Sequence, residues 1–388
     1  MATTKLVMKL VYILLIIFTF TVSPAISTAP ESCDSGSDNP CIDKAKALPL
    51  KIIAIVAILT TSLIGVMAPL FSRYISFIRP DGNGFMIIKC FSSGIILGTG
   101  FMHVLPGSFE MLSSKCLSDD PWHKFPFAGF VAMLSGLVTL AIDSITTSLY
   151  TVKNAVGPVP DEYGIDQEKA IHIVGNNHSH GHGVVLATTK DDGPSDPQLL
   201  RYRIIAMVLE LGILFHSVVI GLSLGATNNG CTIKGLIIAL CFHHLFEGMG
   251  LGGCILQVQI YIHICLFYQT NYQFEVYVLM SIIYVKQADF ANVKKFLMSF
   301  FFAGTTPCAI FLGIALSSIY RDNSPTALIT IGLLNACSAG MLIYMALVDL
   351  LATEFMGSML QGSIKLQIKC FAAALLGCTV MSVIAKWA

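Results

Sequence analysis

Three residues with the chemistry of metal ligands stand inside two long apolar runs: His216 in one, His243 and Glu247 in the next. An ionisable side chain within a membrane-length apolar run is costly and points by default to function. The first run also carries Glu210 and Ser217, and the second carries His244. On a helix, His243 and Glu247 are i and i+4 and share a face; His244, at i and i+3 from Glu247, adjoins it. Imidazole with carboxylate is the ligand set of zinc or ferrous iron, whereas thiolates suit copper(I) and all-oxygen sites suit calcium or magnesium. The chemistry predicted is binding of a borderline divalent cation by His216, His243 and Glu247, with His244 and Ser217 beside them. A membrane histidine can instead serve only to bond a neighbouring helix, but two runs of this density weigh against that. The spacing His243-x-x-x-Glu247 is not HExxH, so a zinc protease would lack its general base and no enzyme is predicted.

A second tier of polar residues extends this line. His103 and Glu110 are seven apart, two turns along one helical face, and with Asp143 are expected to form an entrance for the ion. Asp349 and Glu354, near the end of a later apolar run, are expected to form its exit. For each, pairing with a lysine or capping at the interface is the competing reading. His172, His178, His180 and His182 lie in the one long polar stretch. There the run HSHGHG alternates imidazoles with small residues and can wrap a metal without a fixed fold. A flexible linker without metal is the alternative.

The elements that must position these groups follow from composition. Of 388 residues, 55% are hydrophobic and 12% charged, and the mean hydropathy is +0.74. Soluble domains carry roughly 25% charged residues, so about half the usual charge is missing. The fold class predicted is an all-α integral membrane protein. Eight apolar segments, at about 49–72, 85–108, 126–150, 202–226, 233–256, 295–320, 327–350 and 367–386, approach the ~20 residues that span a bilayer as a helix. They are too long and too continuously apolar for barrel strands. The charge balance of 23 basic and 23 acidic residues points away from a nucleic-acid partner.

Residues 1–28 have the layout of a cleaved secretory signal: Lys5 and Lys9, then Leu10–Phe20, then small residues around Ala25 and Ser27. The remainder divides into a segment 29–150 with the first three helices, a cytosolic loop 151–201, and 202–388 with the last five. Removal of the signal places the new N-terminus outside, and eight spans return the C-terminus to that side. Basic residues agree, since Arg73, Arg79, Lys153, Lys169 and Lys190 fall in loops then cytosolic. The 12 cysteines contain no CxxC pair. Cys33 and Cys41 are expected to pair if their segment is extracytosolic, with Cys116 a third thiol on that side.

The strings HSVVIGLSLGAT (216–227) and CFHHLFEGMGLGG (241–253) closely resemble the fourth and fifth helices of the ZIP metal transporters. Supporting stretches are GFMHVLPGSFEML (100–112), LLRYRIIAMVLELGI (199–213), NACSAGMLIYMALVDLLATEFMG (335–357) and IAKWA (384–388). The wording is similar to the plant iron-regulated branch and spans about 28–388. The resemblance implies eight helices in a 3+2+3 order, outside termini, and alternating access. It also implies import of Fe(II), and of Zn, Mn, Co and Cd, across the plasma membrane, with vesicular membranes the alternative. Family ligands fall on His216, His243 and Glu247. Members with a binuclear site carry Asn and Glu where this chain has Ser217 and Ile220, so a single main ion is expected. No resident cofactor is implied; the partners are the metal ions and the bilayer, with a homodimer open. A metal sensor or a transport-inactive isoform is the rival function.

Two departures stand out. Gly107 occupies a position where relatives typically carry Asp, which removes a carboxylate from the expected entrance. Residues 258–287 are additional, since relatives pass almost directly from GGCILQ to KKF. The segment is rich in Ile, Tyr, Val and Gln and lacks Gly and Pro. It begins at Val258 and ends at Gln287, whose codons can read as intron boundaries, and is expected to be a retained in-frame intron; a ninth span is the rival.

Overall fold

The computed structural model describes residues 41, 43–71, 82–155, 197–269, 299–317 and 324–386. They are helical, and eight helices are long and apolar enough to cross a membrane: α1 (Lys44–Phe71), α2 (Asn83–Leu112), α3 (Phe127–Ala155), α4 (Pro197–Ala226), α5 (Gly230–Gln269), α6 (Ser299–Leu316), α7 (Pro325–Phe355) and α8 (Ile364–Ala385). The protein is a multi-pass membrane protein. Its longest internal undescribed stretches, 156–196 and 270–298, follow α3 and α5, so the chain order reads three, two and three helices. The expected signal at 1–28 and His172, His178, His180 and His182 lie outside the described residues.

Helix starts are set by capping groups that hydropathy does not register. The Asp43 carboxylate accepts from the N–H groups of Ala45 (2.9 Å) and Lys46 (3.3 Å) at the head of α1. Those bonds, Lys46's first, hold its pKa below the usual carboxylate value. The Asn229 side chain accepts from Cys231 N (3.1 Å) and Thr232 N (3.3 Å) at the head of α5. Ser324 and Ser363 do the same for α7 and α8. Each cap satisfies N–H groups that the first helical turn leaves unpaired. The helices therefore begin several residues before the apolar runs do. α3 and α4 likewise extend into the expected 151–201 loop from both sides, to Ala155 and from Pro197, where proline suits a first helical position.

Four helices form the interior. More than half of the residues in the most apolar stretches of α2, α4, α5 and α7 are buried, against a third or less in α1, α3 and α8. α1 packs along α5, α8 along α2, and α3 along α7. The central apolar cluster joins Ile96, Leu209, Ile213, Leu251, Leu342 and Met345, one or more from each inner helix.

Two small-residue motifs, one on α4 and one on α5, could bring these ligand-bearing helices together, but each packs elsewhere. Gly221-x-x-x-Gly225 does not bring α4 against α5; it receives α6, where a Cβ on Gly221 would come within 2.7 Å of Ala309 Cβ. Gly248-x-x-x-Gly252 receives α1, and a Cβ on Gly248 would meet Val66 N at 2.8 Å. Such motifs permit close backbone approach without naming the partner. The expected pairing of Cys33 with Cys41 is also overturned: Cys41 is bonded to Cys231, 190 residues away. The packing of α1 on α5 brings these helix heads together, and Gly230 N donates to Cys41 O at 2.7 Å. Cys116, in the loop after α2, is likewise disulfide-bonded. Both bridges lie at the same end of the bundle.

Candidate metal site

α4 and α5 each place their ligand near the middle of a span. His216 lies ten residues before Ala226 and His243 thirteen after Gly230, about 15 and 20 Å from that end at 1.5 Å per residue. One ligand atom each from His216, His243 and Glu247 lies within 4.8 Å of the others, and all three side chains are buried. Bonds of ~2.0–2.2 Å in a tetrahedral array set two ligands of one zinc ion about 3.4 Å apart, so the trio closes by about an ångström to hold one. The imidazole centroids of His216 and His243 are 5.6 Å apart.

The polar atoms of this cluster lack hydrogen-bond partners. His216 Nε2, both ring nitrogens of His243 and both carboxylate oxygens of Glu247 are buried without one. Buried polar groups are otherwise nearly always satisfied, and an unpaired buried carboxylate costs several kcal/mol. A divalent cation answers one nitrogen of each imidazole and the Glu247 carboxylate at once. His216 is oriented for this: its Nδ1 lies 2.9 Å from Ser338 Oγ on α7, which leaves Nε2 to face the cluster. His244 flanks the group. Its Nδ1 lies 3.0 Å from Glu247 Oε2, outside hydrogen-bonding geometry, and its Nε2 lies 3.3 Å from Thr306 Oγ1 on α6. Ser217 is buried beside His216, and its hydroxyl also lacks a partner.

A family model described as "ZIP Zinc transporter" matches residues 48–263 and 274–385. The chain belongs to the ZIP family. It is 82% identical over 389 residues to "Fe(2+) transport protein 2" of Arabidopsis thaliana, with both chains covered in full. It is 64% identical over 388 residues to "Probable zinc transporter 8" of the same plant, again with full coverage of both. Against its "Fe(2+) transport protein 1" the identity is 63% over 385 residues, covering 99% of each chain.

The remaining expected residues of this ZIP chain are distributed unevenly. His103 turns towards the site, its ring 6.2 Å from that of His243, with its Nε2 buried and without a hydrogen bond. Glu110 does not join it and is exposed. Seven residues set Glu110 about 10 Å beyond His103, near the end of α2, where it lies exposed instead of turning to the site. Asp143 lies in the opposite half of the membrane span from His103, where its Oδ2 accepts from Tyr344 Oη at 3.1 Å. Asp349 is buried on a π-helical stretch, Met345–Ala352; His103 sits on another, Thr99–Val104. Glu354 is buried and ion-paired with Lys89 of α2. Ile220 packs in the apolar cluster of α1, α4, α5 and α6 with Ile58 and Ile310, and Gly107 faces open space.

Sequence reasoning missed Ser338, Thr306 and Lys89. No pattern distinguishes a site-facing hydroxyl from the many serines and threonines of these spans. Lys89 did carry a signal, since an ammonium inside a membrane span is as costly as the carboxylates that were singled out. The 258–287 segment continues α5 as helix to Gln269. The family match skips 264–273, within it.

Proposed function

We propose that this ZIP-family protein imports a divalent transition metal, iron(II) or zinc(II), into the cytosol across the plasma membrane. His216, His243 and Glu247 form its single transport site, flanked by His244 and Ser217. The observation that carries the proposal is the mid-membrane trio of ligands whose buried nitrogen and oxygen atoms have no hydrogen-bond partner. Its two imidazoles and one carboxylate suit a borderline divalent ion. The names of the relatives, iron(II) transport proteins and a probable zinc transporter, agree with that chemistry.

Two bridges at one end of the bundle, Cys41–Cys231 and the bonded Cys116, supply the direction. Disulfides persist in oxidising compartments, so that end faces outside and the 156–196 loop faces the cytosol, where its histidines collect arriving ions. His103, on the outer side of the trio, receives the ion first. Asp349 and Glu354 lie on its way out. A site sealed from both ends by packed helices requires alternating exposure, and the π-helical stretches in α2 and α7 supply deformable segments beside it.

The test is expression in a yeast strain lacking iron and zinc uptake, with accumulation of radiolabelled iron(II) and zinc(II) measured singly and in competition. Accumulation above the empty-vector control, abolished by His216→Ala, is the expected result. No accumulation from a chain present at the cell surface overturns the transport reading, and normal accumulation by His216→Ala overturns the site.

A further inference from the structure

The buried ion pair between Lys89 on α2 and Glu354 on α7 lies outside the His216, His243 and Glu247 trio. It lies at the end of the bundle opposite the disulfides. The side chains are 4% and 7% exposed, and the pairing offsets the cost of burying each charge. The stem of Lys89 runs across α5, the helix that carries Glu247: a Cβ on Gly253 would touch its Cδ and Cε at 4.0 Å. Gly253 is six residues beyond Glu247, about 9 Å further along the helix. The buried Cys254 beside it lies within electrostatic reach of Lys89, Glu354 and Asp349. An ion leaving Glu247 towards that end therefore passes Asp349 and arrives at a carboxylate already occupied by an ammonium.

Lys89 also has somewhere to go. It lines a cleft between α1, α2 and α5, bounded by Pro69, Phe85, Ser92 and Met249. The cleft is apolar but for Ser92, so the flexible stem can lie along it while the ammonium snorkels towards the near end of the bundle.

We infer that the Lys89–Glu354 pair is the gate at the cytosolic end of the metal path, closed while the ammonium holds the carboxylate and opened as Lys89 withdraws and the ion takes its place. This rests on the transport reading for its cargo, but not for its test. The pair joins two inner helices, so its parting separates α2 from α7 at this end alone. A pair that merely stabilises the fold would hold the helices together in every state.

Cys254 is a native reporter. Its modification by N-ethylmaleimide is followed by mass spectrometry in membranes bearing the full-length protein, with Cys337 as the reference thiol for the fold. Lys89→Met and Glu354→Gln are expected to speed Cys254 modification at least tenfold while Cys337 is unchanged, and Lys89→Arg is expected to match wild type. Should either single variant misfold and expose both thiols, the paired change Lys89→Met with Glu354→Met decides, because an apolar pair of similar volume is tolerated where a stranded charge is not. Cys254 as protected in that folded double variant as in wild type overturns the gate, and so does an unchanged rate in both folded single variants. Zinc uptake by wild type, measured in parallel, fails only if the transport reading fails.

Discussion

His216 Nδ1 and Ser338 Oγ lie 2.9 Å apart across the α4–α7 contact. That contact fixes the ring so that Nε2, rather than Nδ1, faces His243 and Glu247. A ligand's outer partner orients it and tunes its basicity, and its removal typically costs about 10–100-fold in metal affinity. Ser338→Ala is expected to raise the KM for zinc uptake by roughly that factor, with a smaller fall in maximal rate. Concentration-dependent uptake of radiolabelled zinc measures this; an unchanged KM would show that His216 keeps its orientation without the hydroxyl.

Glu247 separates a metal site from a buried polar cluster of another kind. Glu247→Gln keeps volume and an acceptor oxygen but removes the only carboxylate of the trio. With the negative charge gone, a dication in the membrane interior loses its charge compensation. Uptake is expected to fall by more than tenfold while the amount of folded protein is equal to or above wild type, because an uncompensated buried charge has been removed. Surface biotinylation alongside uptake distinguishes this from loss of the protein.

How much of this was legible in the sequence depends on the kind of information each feature needs. The eight spans were, because the cost of exposing backbone to lipid forces long apolar helices. His216, His243 and Glu247 were, because charge and imidazole in such runs are rare enough to stand out. The partner of Cys41 was not, since nothing local links it to Cys231 across 190 residues. Glu110 was read with His103 because they share a helical face, but periodicity gives no depth, and seven residues set Glu110 about 10 Å further along α2, where it is exposed. The glycine motifs showed that backbones approach closely but not that Gly248 meets α1 and Gly221 meets α6.

Gly107 has no side-chain or backbone neighbour where its Cβ would project. An aspartate there meets no steric obstacle and would place a carboxylate one turn after His103, towards the outer end of α2. Gly107→Asp is expected to leave the thermal midpoint within a few degrees of wild type and to raise uptake at low metal concentration through a lower KM. An unaltered KM in a folded variant would remove this end of α2 from the metal's route.

The Cys41–Cys231 bridge closes a loop of 190 residues between the heads of α1 and α5. Constraint of the unfolded chain by such a bridge is typically worth about 2–4 kcal/mol. Cys231→Ser is expected to lower the thermal midpoint of detergent-solubilised protein by several degrees, and dithiothreitol to lower wild type by at least as much and the variant by less, since the reductant also opens the Cys116 bridge. The bridge also reports orientation. A membrane-impermeant phosphine reductant applied to intact cells is expected to open it, and protection until the cells are lysed would reverse the assignment of inside and outside.

The 258–287 segment makes the last expectation the most consequential for the chain as a whole. α5 runs for 40 residues to Gln269, about 60 Å at 1.5 Å per residue, against a hydrocarbon core of about 30 Å. The part beyond Leu256 therefore extends roughly 20 Å past the end of the span. It leaves at the end where the Lys89–Glu354 pair sits and where α5 must connect to α6. Under the proposed alternating exposure, an extension of α5 there would add a lever to a helix that has to move relative to α6. Deletion of 258–287 joins Gln257 to Ala288, so the remaining chain passes from GGCILQ into a short loop ending in KKF. The shortened protein is expected to retain the Cys41–Cys231 bridge and to import zinc at least as fast as the full chain, with the gain in maximal rate rather than KM. Sequencing of the transcript across codons 250–295 then decides its origin: a single message containing the segment makes it a genuine part of the protein, and a mixture with the shorter form makes it a retained intron. Slower uptake by the shortened protein would assign the segment a positive role in transport and end the intron reading.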